Sequence, residues 1–125
     1  VGCHAEWVGH PILEQIPEPG KRDILREEFG VKSGEKLVAL LPGSRISEIR
    51  VLGPRLLAAA RVLSGREVLK FVVAVPEPLY EMTRACFPAD FPVIVDRASD
   101  ALCACDAAVV KMGSATLEAA VMGAP

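Results

Sequence analysis

Four short apolar runs, separated by stretches of helical period, lay out this chain. The run "KLVALLPG" (36–43) is continuously apolar and stops at Pro-Gly, which is the pattern of a strand buried on both faces. "KFVVAV" (70–75), "FPVIV" (91–95) and "DAAVV" (106–110) read as three more strands. Between the first two, Ile49, Leu52, Leu56, Ala60 and Leu63 recur at helical spacing, so 46–64 is expected to be a helix, kinked at Gly53-Pro54. "PLYEMTRAC" (78–86) predicts a helix with Pro78 near its first turn. "SDALCAC" (99–105) predicts another, with Ser99 as its N-cap, and 114–122 the last. Ahead of the first strand, "RDILREEFGV" (22–31) predicts a short helix closed by Gly30. "AEWVGHPILEQIP" (5–17) reads as a strand end and a turn, followed by a breaker at Pro17, Pro19 and Gly20. Trp7 is expected in the core, and His10, beside Pro11, is read as a structural hydrogen-bonding histidine.

Strands alternating with helices imply right-handed β-α-β units and therefore an α/β fold, a Rossmann-like three-layer arrangement around a parallel sheet. Ligands of such sheets bind outside the carboxyl ends of the strands, where strand order reverses. In the common order 3-2-1-4 that reversal falls between the first and fourth strands. The first ends in "LLPGSR" and the fourth in "VVKMGSAT", so Gly43, Ser44 and Arg45 are expected to share a crevice with Gly113, Ser114, Ala115 and Thr116.

Both turns suit an anion. A helix start offers free N–H groups and partial positive charge, and small residues let a phosphate approach them closely. Arg45 carries a permanent charge with a fork geometry matched to phosphate oxygens. Neither turn is a P-loop or a dinucleotide fingerprint. Glu118 lies one turn inside the last helix, about 6 Å along its axis from Ser114, and a carboxylate accepts two hydroxyl protons side by side. The combination describes a nucleoside diphosphate, with phosphates on the amides and Arg45 and the ribose diol on Glu118. The competing reading leaves Glu118 as a dipole-stabilising or solvated residue. Glu48 either pairs with Arg45 or Arg50 or reaches a sugar hydroxyl. Asp96 and Arg97 follow the third strand at the crevice rim, where their backbone could meet a base.

Composition narrows the field. The chain has 125 residues, half of them apolar, and a net charge of −2 with its basic residues dispersed, so no nucleic-acid footprint is visible. No apolar run approaches the roughly 18 residues of a spanning helix, and no signal peptide is evident. The cysteines Cys3, Cys86, Cys103 and Cys105 form no C-x-x-C pair and read as reduced core residues rather than metal ligands. The chain begins at Val1 and ends at "MGAP", directly after a helix, and is read as residues 1–125 of a longer two-domain protein.

The phrases "WVGHPILEQIP" (7–17), "LLPGSRISEIRVLGPRLLAAARVL" (40–63) and "CDAAVVKMGSATLEAAVMGAP" (105–125) resemble the lipid-A-disaccharide synthase family. The resemblance implies an inverting glycosyltransferase of GT-B architecture, of which this chain would be most of the C-terminal, donor-binding half. It implies UDP-2,3-diacylglucosamine as donor, lipid X (2,3-diacylglucosamine 1-phosphate) as acceptor, no cofactor or metal, and work at the cytoplasmic face of the Gram-negative inner membrane, with association through the N-terminal half. Carried over, Arg45 is the essential arginine near the diphosphate, Glu118 the ribose ligand, and Gly113, Ser114 and Thr116 the diphosphate cradle. Met112 stands where many relatives have serine, and Ser114 where threonine is usual. Another UDP-N-acetylglucosamine transferase or epimerase, or a non-enzymatic nucleotide-binding module, remains the alternative.

Overall fold

The computed structural model describes residues 2–9, 11–15, 18 and 20–125. The expectations for His10, Pro17 and Pro19 lie outside the described residues. The elements run α1 (Lys21–Glu28), β1 (Lys36–Leu41), α2 (Ile46–Ser64), β2 (Leu69–Val75), α3 (Tyr80–Cys86), β3 (Val93–Val95), α4 (Ala98–Ala104), β4 (Ala107–Val110) and α5 (Ser114–Val121).

The strands form one sheet in the order β3-β2-β1-β4, every pair parallel. β1 carries two partners, Leu40 facing Val73 on one side and Val109 on the other. Its alternate residues feed opposite layers, as the two-residue period of a strand requires. Leu37, Ala39 and Leu41 join Leu25, Phe29, Leu102 and Ala119 beneath α1, α4 and α5. Val38 and Leu40 join Ile49, Ala60, Phe71 and Phe91 beneath α2 and α3. In the second layer Phe71 and Phe91 stack with ring centres 5.1 Å apart.

α1 closes as expected. Gly30 takes φ +71, its N–H donates to Glu27, and the Val31 N–H donates to Arg26, the paired bonds of a Schellman end. At the amino edge of the sheet, Asp106 accepts from the Leu37 amide at 2.8 Å, from Arg26 at 2.9 Å and from Arg22 at 2.8 Å. That carboxylate fastens α1 to both β1 and β4.

Three expectations need correction. The segment 2–9 has no strand, and Pro11–Gln15 forms a 3-10 turn instead. Gly9 at φ +82 turns the backbone away from an extended path, and Pro11 has no N–H for a ladder. Trp7 is 89 % exposed, because no element among the described residues covers this segment. Ser99 does not cap α4: the helix begins a residue earlier, at Ala98, and Arg97 takes the cap position. α2 spans Ile46–Ser64 as the apolar period predicts, with Pro54 inside it.

Candidate functional site

The sheet brings the two glycine-serine turns side by side. β1 ends at Leu41, opposite Val110 of β4, and the Lys111 N–H donates to the Leu41 carbonyl at 3.0 Å, carrying the pairing one residue further. From there the chains diverge, into α2 on one face of the sheet and α5 on the other. The gap between them is a cleft of about 210 Å³. Gly43, Ser44 and Glu48 line one wall, Lys111, Gly113, Ser114, Ala115 and Glu118 the other, and Leu41, Ala74 and Val75 the apolar floor.

Glu48 joins the walls. Its Oε2 accepts the Ser44 amide at 2.9 Å, while its Oε1 lies 2.7 Å from Lys111 Nζ and 3.6 Å from Arg45 Nη1. The side chain is 13 % exposed. The hydrogen bond from Lys111, then that from the Ser44 amide, hold its carboxyl below the usual carboxylate range. It reaches this position only because residue 43 is glycine: φ there is +121, and a Cβ would stand 2.2 Å from Glu48 Oε2.

The other wall starts a helix. The Gly113 N–H donates to Thr116 Oγ1 at 3.2 Å, and the Thr116 N–H donates to the Gly113 carbonyl at 3.0 Å. Since Gly113 has no side chain, this is half of a capping box, supplied by Thr116 alone. The amides of Ser114 and Ala115 come before the first intrahelical bond and are free to meet a ligand. No heavy atom lies within 4 Å of where a Cβ on Gly113 would stand, so the approach is open. Glu118 is half-buried and faces the same space one turn further in.

Seven residues singled out from the sequence thus share the cleft: Gly43, Ser44, Glu48, Gly113, Ser114, Ala115 and Glu118. Arg45 and Thr116 do not line it. The Arg45 side chain is 76 % exposed at the N-cap of α2, and the Thr116 hydroxyl accepts the bond that begins α5. Both oxygens of Glu48 are held by protein groups rather than turned to a ligand. At the rim, the Arg97 guanidinium is spent on Glu28, at 2.5 and 2.9 Å, and on Asp100 at 2.7 Å. Asp96, at φ +53, accepts the Glu77 amide; neither Asp96 nor Arg97 lines the cleft, whereas Ala98 does. Lys111 is the residue the sequence pattern does not single out. The available signal was its place, directly after a strand and at the same sheet edge as Glu48.

The cleft therefore offers amide donors, an ammonium and a nearby guanidinium to an anion, with one carboxylate, Glu118, to accept hydroxyl protons. Among the described residues no helix is long and apolar enough to cross a membrane.

A family model described as lipid-A-disaccharide synthetase matches residues 1–125. The chain is 41 % identical to the lipid-A-disaccharide synthase of Azotobacter vinelandii, over 95 % of this chain and 33 % of that protein. It is 40 % identical to the same enzyme of Myxococcus xanthus, over 99 % and 34 %. The chain thus spans about a third of the length of the curated relatives it matches. Among solved structures it resembles the ADP-heptose lps heptosyltransferase II of E. coli, with a TM-score of 0.63 and 16 % identity over 87 % of this chain and 37 % of that one. That likeness speaks for the fold.

Proposed function

The chain belongs to the lipid-A-disaccharide synthetase family, and from that premise we propose that it is the donor-binding part of an inverting glycosyltransferase. The donor is UDP-2,3-diacylglucosamine and the acceptor 2,3-diacylglucosamine 1-phosphate. The acceptor's 6-hydroxyl attacks the anomeric carbon and the bond from that carbon to the β-phosphate oxygen breaks. UDP leaves, and the hydroxyl proton passes to a base outside this chain. The product is a β-1,6-linked acylated disaccharide. The reaction so written uses no metal or cofactor, and the protein works peripherally at the cytoplasmic face of the inner membrane.

One observation carries the reading: two turns remote in sequence meet at a single cleft whose donors suit phosphates and whose one unengaged carboxylate, Glu118, suits a ribose. Its volume, about 210 Å³, is below the roughly 300–1,000 Å³ of a complete small-molecule site. It suits the diphosphate and ribose, with the acylated sugar outside it. As charge develops on the leaving diphosphate, the amides of α5 and the guanidinium of Arg45, 3.6 Å from Glu48 beside the cleft, stabilise it with less reorganisation than water would need.

Titrating the protein with UDP, followed by amide NMR, tests this. The amides of Gly43, Ser44, Arg45, Gly113 and Ser114 are expected to shift together at one dissociation constant. Shifts confined to another surface would remove the donor site from this cleft.

A further inference from the structure

The ammonium of Lys111 lines the cleft, on the wall opposite Ser44, and the reaction written above gives it no role of its own. Its position is set by Glu48 and by its own backbone. Nζ lies 2.7 Å from Glu48 Oε1, and Glu48 is in turn held by the Ser44 amide at 2.9 Å, in space that Gly43 leaves by having no side chain. The Lys111 backbone is tied to β1 through the Leu41 carbonyl. An ammonium has three donors, and the one contact to Glu48 leaves two for a ligand. The side chain is 35 % exposed, so those donors are reachable from solvent. Arg45 differs: its guanidinium stands 3.6 Å from the same Glu48 oxygen, is 76 % exposed and does not line the cleft, whereas Lys111 does.

We infer that Lys111 is a direct ligand of the donor's diphosphate, its ammonium held in place by Glu48. The inference rests on the cleft being the diphosphate site. The competing account makes Lys111 a strut that merely ties the β4–α5 turn to α2 through Glu48.

Binding of UDP and of uridine to the wild-type protein, Lys111→Ala and Lys111→Gln separates the two. Glutamine keeps a hydrogen-bond donor toward Glu48 but has no charge, so it preserves a strut and removes a phosphate ligand. Both variants are expected to bind UDP about tenfold or more weakly, the loss of one hydrogen bond to a charged group, with uridine affinity unchanged. Wild-type affinity for UDP in Lys111→Gln overturns the inference and leaves the cleft standing. So does an equal loss for UDP and uridine, which is the signature of a strut. UDP that shifts none of the cleft amides in the wild-type protein removes the parent reading, and this one with it.

Discussion

At position 43 a hydrogen atom is all that Glu48 leaves room for. A Cβ there would meet Glu48 Oε2 at 2.2 Å and its Cβ at 2.9 Å, with φ at +121. Strain in that backbone region costs an L-residue about 1–3 kcal/mol. Gly43→Ala is therefore expected to lower stability by about that much and, by pushing Glu48 off Lys111, to weaken UDP binding as well. Gly113 is glycine for a different reason. Its φ of 161 is ordinary extended backbone, and nothing lies near its missing Cβ. Gly113→Ala should keep stability within about 0.5 kcal/mol and lose UDP affinity, because the methyl would occupy the space a phosphate needs. Urea denaturation beside a UDP titration checks both. If the two alanine variants lose equal stability, the account of Gly43 fails. The motif made both glycines visible in sequence, yet not this difference, which depends on a carboxylate from the following helix folding back over one of them.

Among the elements, α1 is held by charge as well as by Leu25 and Phe29. Asp106 receives the Leu37 amide and the guanidiniums of Arg26 and Arg22. Burial alone would raise its carboxyl, but those three donors outweigh burial and hold it at about 2, against an ordinary 3.8. A carboxyl lowered on folding stabilises the fold fully above its unfolded value. That contribution fades as pH falls from about 4 toward about 2. Asp106→Asn is expected to be less stable at neutral pH and to lose less than the wild type across that acid window. Some acid sensitivity should remain, since Asp100, Glu28 and Glu48 are also held low. Urea midpoints at neutral pH, near pH 4 and near pH 2 measure it, and an unchanged acid loss would show that Asp106 is no anchor. Every strand and helix from α1 onward was legible from apolar runs and their period. The role of Asp106 was not, because its three partners, in α1 and β1, are brought to it only by the completed sheet. The segment 2–9 misled for the opposite reason: its apolar residues suggested a strand and a buried Trp7, while the described residues supply neither a ladder partner nor a cover.

For the whole molecule, alternating strands and helices suggested the common order 3-2-1-4, the sheet has that order, and it brings the turns after β1 and β4 to one edge. The position of the cleft was therefore legible from topology, and the pairing of Glu48 with Lys111 across it was not. Topology says which turns meet but does not say which side chains touch. The molecule as a whole carries a net charge of −2, so its overall field repels a diphosphate. Binding has to come from the local arrangement of Lys111, Arg45 and the N-termini of α2 and α5. Those contributions are partly exposed to solvent and therefore screened: the Debye length falls from about 10 Å at 0.1 M salt to about 3 Å at 1 M. UDP affinity is accordingly expected to fall by about an order of magnitude over that range. Uridine affinity should stay level, and the apolar layers on both faces of the sheet should keep stability nearly constant. Calorimetric titrations of UDP and uridine across that salt series would show it. Should UDP hold its affinity throughout, the phosphates are not gripped by charge in this cleft, and the nucleotide is held through its base and ribose.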